Sequence, residues 1–198
     1  MKNEIRVINF VPGLGSGGIG ILMKEWFKRR DKNVVFDIAT IGKGIAYEEL
    51  KQNGCKIYEF DPISSVGFIE YTRQAYKIIK SGNYDIVHSH VGMISCFIFL
   101  AALLSKVEIR ILHAHGTKYN KDNGKLFNSL ITKTLMKCSS FLATDYLACS
   151  SDAARYLFGS RIATKKAVII NNGIDLDRFK FREKIPKDNY IIMNLRLE

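Results

Sequence analysis

The sequence predicts an α/β fold, a Rossmann-like parallel β-sheet with helices on both faces. Apolar strand-like segments alternate along the chain with helical segments of about a dozen residues, which is the pattern of repeated βαβ units. Runs such as 167–170 (Ala-Val-Ile-Ile) have no polar side, as expected for strands that are buried on both faces. We therefore expect about six or seven parallel strands, with ligands bound at their carboxyl ends.

The strands are expected where aliphatic and β-branched residues run together. Clear examples are Ile5–Val11, near the start of the chain, and Glu108–Ala114, in its middle. The predicted strands are 5–11, 33–41, 55–60, 84–88, 108–114, 145–149 and 168–171.

The helices are expected between these strands. Apolar residues recur at helical spacing, as with Tyr71, Ala75 and Ile78. Ser150 or Ser151 is expected to cap a helix that carries Asp152 in its first turn, where a carboxylate is favourable. The predicted helices are 19–30, 46–53, 68–80, 92–105, 126–138 and 150–158.

The composition fits one domain and leaves several partners open. A chain of 198 residues buries one substantial core, and its net charge of +11 attracts nucleic acid, an anionic membrane or phosphorylated substrates, or only keeps the surface soluble. The N-terminus lacks the apolar stretch of a signal peptide, and the most apolar segment, 91–105, is short for a membrane span, so we expect a cytoplasmic protein. No Cys-x-x-Cys pair occurs, and we expect buried, reduced thiols at Cys55, Cys96, Cys138 and Cys149.

A glycine-rich segment, 12–20, follows the first strand. Gly13, Gly15 and Gly18 satisfy Gly-x-Gly-x-x-Gly, and Asp37 lies about twenty residues further on, so a dinucleotide site has to be considered. Asp37 is expected inside the second strand, however, and not at its tip, where a ribose would lie. Glycines still allow the backbone to approach a ligand, and free N–H groups at the next helix N-terminus favour a phosphate.

Two His-x-His pairs close neighbouring strands. They are His88 with His90 and His113 with His115. Alternate residues of a strand share one face, so each pair presents two imidazoles on one side and a metal site has to be considered. No carboxylate accompanies either pair, and inward-facing strand histidines are often hydrogen-bonded core residues. We therefore predict no metal site.

The last strand leads into a turn with a family resemblance. In the string 167–179 (AVIINNGIDLDRF), an Asn-Gly turn follows the strand, and Asp175 is placed to cap a short turn that carries Arg178 and Phe179. This string resembles the signature that closes the N-terminal domain of family 4 glycosyltransferases, which have the GT-B fold. Further matches, in the same order as in the family, are Gly17-Gly18, the Asp85–His90 segment, His115 and the strand end 148–151.

The resemblance implies one half of a two-domain enzyme. Residues 1–181 are expected to form the N-terminal, acceptor-side domain, and residues 182–198 a linker and the first strand of a second domain. The implied reaction moves a sugar from a nucleotide-diphosphate sugar to a polysaccharide or lipid-linked acceptor with retention of configuration, as in bacterial capsule and exopolysaccharide synthesis. It uses no cofactor. Because the nucleotide grip belongs to the second domain, this chain alone is expected to be inactive.

The resemblance also assigns the site residues. His115 is the expected catalytic residue, since its family counterpart lies beside the reaction centre, where a neutral imidazole both donates and accepts a hydrogen bond. The expected donor- and acceptor-binding residues are Gly17, Gly18, His90, Gly116, Thr117 and Asn172.

Five lysines follow the strand that carries His115, and they are Lys118, Lys121, Lys125, Lys133 and Lys137. On a helix from residue 125, its lysines fall on one side and the apolar Phe127, Leu130, Ile131 and Leu135 on the other, which predicts that the apolar side packs on the sheet. The lysines are either a solvated face or a surface for an anionic membrane or a lipid diphosphate acceptor.

One alternative of a different class stays open at this point. The chain would then be a stand-alone Rossmann-like module that binds a nucleotide, or nucleic acid through its basic face. The glycosyltransferase reading includes no nucleic-acid partner, and continuation of the protein into a second domain would decide between the two.

Overall fold

The computed structural model describes residues 4–15, 17–117 and 126–173, and in the helix from Leu126 it describes side chains from residue 130 onwards. Seven strands form one sheet in which every neighbouring pair is parallel. The strands are β1 (Ile5–Val11), β2 (Val34–Thr40), β3 (Ile57–Glu59), β4 (Ile86–Ser89), β5 (Ile109–Ala114), β6 (Asp145–Ala148) and β7 (Ala167–Ile169). The predicted fold class is confirmed.

The strand order is β3-β2-β1-β4-β5-β6-β7. The chain builds outward from β1 in one direction, then returns and builds outward in the other from β4. The order therefore reverses between β1 and β4, and at such a point the connections after the two strands diverge and leave a crevice at their carboxyl ends. The backbone N–H of His90 donates to the Phe10 carbonyl at 2.9 Å, which holds the end of β4 beside the end of β1.

The helices lie between the strands largely as predicted. They are α1 (Gly18–Arg29), α2 (Ile45–Gln52), α3 (Ile63–Gly82), α4 (Ser95–Leu104), α5 (Leu126–Leu142), α6 (Ser151–Phe158) and α7 (Ser160–Lys165). A 3-10 turn, Gly92–Ile94, precedes α4. The α3 helix begins before the predicted start because a break at Gly67, with φ 73°, joins a first turn to the main helix.

Caps explain the ends of α6. The Ser150 side chain accepts a hydrogen bond from the Ala153 N–H at 3.1 Å, so the predicted cap is confirmed at Ser150. Gly159, with φ 78°, ends this helix in a conformation that few other residues adopt. The short α7 that follows was not predicted, because 160–165 has too few apolar residues to show a helical period.

The sheet separates two apolar clusters. Residues of α1 and α2 pack with Val11, Phe36 and Ile38 on one face. Residues of α3, α4 and α6 pack on the other, together with Ile8, Phe10 and other strand residues. Within the described ranges, no helix is both long and apolar enough to cross a membrane.

Asp37 lies inside β2, as predicted, and is buried. Its carboxylate accepts a hydrogen bond from the Tyr84 hydroxyl at 2.6 Å, and the Arg6 guanidinium lies 3.9 Å away. Burial raises the pKa of Tyr84, and the hydrogen bonds of its hydroxyl with Asp37 and with Tyr58 raise it further. The Tyr84 hydroxyl therefore keeps its proton. The acidic residue that the Gly-x-Gly-x-x-Gly pattern would require is therefore inside a strand and used within the fold.

Two expectations about side-chain burial were wrong. Leu130 and Ile131 are 67% and 46% exposed, while Ser139 and Ser140 of the same helix are buried. The Ser139 hydroxyl accepts from the Cys96 N–H at 2.9 Å and donates to the Met93 carbonyl at 2.7 Å. The α5 helix therefore packs through this satisfied hydroxyl, together with Met136 and Leu142, and not through Leu130 and Ile131. The four cysteines are free as expected, but two are not buried, Cys138 being exposed and Cys149 half-buried, since each lies on an incompletely covered face.

Candidate functional site

Four imidazoles meet where β4 and β5 end. These strands pair in parallel, with His88 beside Ile111 and Ser89 beside Leu112. The rings stack in one group, with centroids 4.2 Å apart for His88 and His90 and 4.1 Å apart for His113 and His115. The predicted convergence of His90 and His115 at the carboxyl edge is therefore observed, and it extends to the other two histidines.

Hydrogen bonds join the imidazoles in pairs across the two strands. His90 Nδ1 lies 2.7 Å from His115 Nε2, and His88 Nε2 lies 3.2 Å from His113 Nδ1. In each pair one nitrogen carries the proton and the other accepts it. Among the described residues no partner reaches the buried Nε2 of His90 or of His113. A buried polar atom without a partner costs about 1–3 kcal/mol.

These contacts indicate which nitrogens carry protons. A buried N–H without an acceptor is rarer than an under-used acceptor, so we assign the protons of His90 and His113 to Nδ1, which has a partner. His115 then accepts at Nε2 and carries its own proton on Nδ1. It is thereby prepared to donate a hydrogen bond to a ligand.

Burial keeps the four rings neutral near pH 7. It lowers the pKa of His88 from 6.5 to about 3 and that of His115 to about 4. Burial first, and the neighbouring His115 and His88 second, together lower the pKa of His113 to about 2. The pKa of His90 is well below its ordinary value for the same reason, burial first and the neighbouring histidines second. Neutral imidazoles can orient a ligand or bind a metal through their lone pairs.

Trp26 covers this group from α1. Its ring centroid lies 5.7 Å from those of His88 and of His113, and 6.0 Å from that of His90. The helix that carries Trp26 begins at Gly18, within the glycine loop (residues 12–20), so the loop and the histidines are linked through one element. Sequence reasoning missed Trp26. The available signal was the only tryptophan of the chain, two turns into the helix after that loop.

The glycine loop presents backbone N–H groups to a ligand, whereas the histidines present side chains. Gly17 is the N-cap of α1, with no side-chain cap from the described residues, and Gly18 opens the helix. A Cβ added at either glycine would meet no described atom within 4 Å, so this side of the helix start is open to a ligand. Free N–H groups at a helix N-terminus attract phosphate.

The inner side of the same loop is closely packed. A Cβ on Gly20 would lie 2.3 Å from the Gly15 carbonyl oxygen, and one on Gly44 would lie 2.4 Å from the Gly15 Cα. Leu14 also accepts from the Ala46 N–H at 3.1 Å. Glycines at 20 and 44 therefore hold the loop in place, while Gly17 and Gly18 face outward.

The remaining predicted residues are only partly gathered at this edge. Gly116 and Thr117 follow His115 directly and are exposed. Asn172 is exposed after β7, at the far side of the sheet, and no contact described here joins it to the histidines. Lys133 and Lys137 are exposed on α5, while Lys118, Lys121 and Lys125 lie outside the described residues.

Sequence comparison identifies the family. Residues 26–178 match the family model described as Glycosyltransferase Family 4. The chain belongs to glycosyltransferase family 4. A putative glycosyltransferase EpsF of Bacillus subtilis is 31% identical over 188 residues, which are 90% of this chain and 47% of that protein. The capsular polysaccharide biosynthesis glycosyltransferase CapH of Staphylococcus aureus is 25% identical over 189 residues, 94% of this chain and 52% of CapH.

Solved structures show the same fold as this family 4 chain. Anabaena HepE, crystallised with UDP and glucose, superposes with a TM-score of 0.67 at 13% identity, over 91% of this chain and 47% of HepE. A glycosyltransferase from Rickettsia africae gives a TM-score of 0.66 at 23% identity, over 89% of this chain and 45% of that one. The chain thus spans about half the length of the relatives it matches.

Proposed function

We propose that this chain is the N-terminal, acceptor-side domain of a retaining glycosyltransferase of capsule or exopolysaccharide synthesis. The sugar moves from a nucleotide-diphosphate donor to a polysaccharide or lipid-linked acceptor. The observation that carries the proposal is that, in a family 4 chain, His115 and the open start of α1 lie at one sheet edge beside the strand-order reversal. The name of CapH supports the pathway, that of EpsF supports the class of enzyme, and the UDP and glucose in HepE support the donor class.

The site supplies two things that this transfer requires. The sugar centre gains positive charge as the diphosphate leaves, so the departing phosphates must be stabilised and the acceptor hydroxyl oriented. The N–H groups after Gly17 suit the phosphates. The Nδ1–H of His115, fixed by its bond to His90, suits an oxygen of the sugar or the acceptor. In this proposal the N–H groups and the His115 imidazole bind their oxygen atoms without a metal and without a charged side chain of this chain.

The other half of the site belongs to a second domain in this proposal. Asp37, the acidic residue of the dinucleotide pattern, is inside β2 and bonded to Tyr84, so it is not free to hold a ribose. Contacts to the nucleotide therefore come mainly from beyond residue 181, with 182–198 leading into that domain. The fragment alone is accordingly expected to be inactive.

Calorimetry and activity measurements test this division. We expect no heat of binding when the 198-residue chain is titrated with UDP-, GDP- or dTDP-sugars, and sugar transfer only by the longer protein that continues beyond Glu198. Micromolar binding by the chain alone, about 8 kcal/mol, would instead support the stand-alone nucleotide-binding module. Tight, salt-dependent binding of a single-stranded oligonucleotide would support the nucleic-acid alternative.

The same proposal includes a cytoplasmic location with peripheral contact to an anionic membrane, from which a lipid-linked acceptor would be reached. Two features of α5 support the contact. Lys133 and Lys137 are exposed, and Leu130 and Ile131 are exposed on the same helix. Cationic and apolar side chains together suit a lipid headgroup layer.

A further inference from the structure

The α4 helix carries a row of apolar side chains on the side that faces away from the sheet. Of the α-helices within the described ranges, α4 (Ser95–Leu104) alone contains no charged residue. Leu100, Leu103 and Leu104 are 44%, 41% and 62% exposed, and Phe97 is half-buried, while the other residues of the helix are buried. Residues three or four positions apart are neighbours on a helix surface, so these four side chains form one continuous surface, the α4 stripe.

We propose that the α4 stripe docks on an anionic lipid membrane and enters the apolar layer beneath the headgroups. The proposal rests on the membrane contact that the proposed function includes, and it assigns that contact to an apolar surface that the transfer reaction itself does not use. The ten residues of α4 span about 15 Å, which is about half the thickness of the hydrocarbon core. The helix therefore lies along the membrane and does not cross it.

The apolar surface continues from α4 onto the neighbouring helix α3. The Phe97 ring stacks on the Phe68 ring, with centroids 6.1 Å apart, where the two helices pack side by side. Phe68 is 59% exposed, and the adjacent Ile69 is 73% exposed. Single exposed apolar side chains are normal on a soluble protein, but a surface that extends over two packed helices indicates an interaction site.

The charges around the stripe favour an anionic partner over a second copy of the chain. Lys80 of α3 and Lys106, which follows α4, are exposed, as are Lys133 and Lys137 of the neighbouring α5, and the exposed Glu108 offsets one of these charges. A second copy packed through the same stripe would bring like charges together, which is unfavourable. An anionic headgroup layer attracts the lysines, while the hydrocarbon beneath it accepts the leucines.

Docking through the α4 stripe leaves the carboxyl edge of the sheet open. The buried residues of α3 and α4 belong to the core on one face of the sheet. Trp26 packs with the core on the opposite face, where α1 and α2 lie. The membrane would therefore cover one face, and the glycine loop and the histidines would stay accessible to substrates at the edge between the two faces.

Quenching by brominated lipid measures the insertion directly. Leu103→Trp places a tryptophan on the stripe, whereas the wild-type chain has only Trp26, on the other face of the sheet. The 198-residue chains are mixed with vesicles of phosphatidylcholine and phosphatidylglycerol whose acyl chains carry bromine. We expect quenching in Leu103→Trp and none in the wild type. Equal quenching of the two proteins would mean that the face around Trp26 meets the lipid, and it would overturn the proposal.

Sedimentation with the same vesicles measures the contribution of the stripe. Leu103→Ser combined with Leu104→Ser removes two exposed side chains, so the fold should be kept and binding should weaken at least about tenfold. The matched control is Ile21→Ser combined with Ile45→Ser, on α1 and α2, where the side chains are 50% and 79% exposed. It should bind as the wild type does. High salt should leave part of the wild-type binding, because screening acts on charges and not on hydrocarbon.

The remaining outcomes separate this inference from the proposed function. Equal binding by the α4 double variant and the wild type would overturn the inference and leave the contact through Lys133 and Lys137 standing. A dimer in sedimentation equilibrium that this variant loses would assign the stripe to a second copy. Quenching that is lost in the longer protein would assign it to the second domain. No vesicle binding at all would overturn every membrane contact, but not sugar transfer, which calorimetry and activity measurements test.

Discussion

The glycine loop and the histidine strand ends lie on adjacent strands at one edge of the sheet, yet they recognise ligands by opposite means. The loop presents main chain, with Gly17 and Gly18 open on the outside and Gly20 and Gly44 packed tightly against Gly15. The strand ends present side chains, four neutral imidazoles bonded in pairs under Trp26. The loop offers N–H groups that no pH change removes. The imidazoles offer groups whose charge and tautomer depend on burial.

This difference assigns separate tasks in the proposed reaction. A departing diphosphate carries a fixed negative charge, so backbone N–H groups suit it at any physiological pH. An acceptor hydroxyl needs orientation, which a bonded and immobilised imidazole supplies. Because α1 carries both Gly18 and Trp26, the two regions are held in register by one rigid helix.

Acidification should have the largest effect, because it acts on the histidines and not on the backbone N–H groups of the glycine loop. The folded pKa values of His88 and His115, about 3 and about 4, lie below the ordinary 6.5, so the unfolded chain binds more protons as pH falls below about 6.5. Each such histidine then removes up to about 1.4 kcal/mol of unfolding free energy per pH unit. Urea unfolding at pH 7 and pH 5, with chelator present and followed by Trp26 fluorescence, should show a loss of a few kcal/mol.

His113→Leu is the control for that loss, because burial lowers the pKa of His113 to about 2 and the variant removes one of the titrating groups. Its stability should fall less steeply between pH 7 and pH 5. Equal stability of the wild type at the two pH values would mean that the rings are protonated in the folded state and that their buried, neutral description is wrong.

Removing His115 should affect chemistry more than folding. In the complete enzyme, His115→Ala is expected to lower turnover about a hundredfold or more, since an orienting or acid–base group near the reacting atoms contributes that much. The unfolding free energy should fall by only about 1–3 kcal/mol, because the change leaves the buried Nδ1–H of His90 without its acceptor. Steady-state kinetics with a saturating donor measures the effect. Near-normal turnover would mean that His115 has only a structural role beside His90.

The two sides of the glycine loop should respond differently to one methyl group. Gly44→Ala places Cβ 2.4 Å from the Gly15 Cα, so the loop must shift and the unfolding free energy should fall by about 1–3 kcal/mol. Gly18→Ala meets no described atom within 4 Å and should stay within about 0.5 kcal/mol of the wild type. Equal losses in denaturant unfolding would contradict the division of the loop into an open and a packed side.

The smallest expected effect is on membrane binding, and it bears on whether the histidine end or the glycine loop lies nearer the membrane. The α5 helix follows β5, so binding through Lys133 and Lys137 would bring the histidine end, rather than the glycine loop, towards lipid. Changing both lysines to Gln should weaken sedimentation with anionic vesicles by about 1 kcal/mol per residue, and salt should weaken it further. Lys32→Gln with Lys51→Gln, exposed near the opposite sheet edge, is the matched control. Equal binding to neutral vesicles would show that these lysines are only a solvated face.

The alternation of segments was sufficient to predict the sheet and the edge at which His90 and His115 meet, because strand ends in a parallel sheet meet by geometry. The pairing of His90 with His115 was only half predictable. Spacing showed that each pair shares a face, but the register of β4 against β5 decides which nitrogens meet. The predicted orientation of α5 was wrong because hydrophobic periodicity counts serine as polar. Ser139 is buried all the same, since both its hydrogen bonds are made inside.

The bond between Asp37 and Tyr84 bears on how this fold can be redesigned. Asp37 follows the glycine loop at about the sequence distance of the acidic ribose ligand in dinucleotide-binding sheets, but it lies inside β2, where the Tyr84 hydroxyl from the segment before β4 donates to it at 2.6 Å. A change confined to the glycine loop would therefore not create a dinucleotide site. An engineer would also have to place an acidic residue at the end of β2, because replacing Tyr84 would only leave the buried Asp37 carboxylate with the Arg6 guanidinium 3.9 Å away. The internal bond thus separates this domain from the dinucleotide-binding folds that its glycine pattern superficially matches.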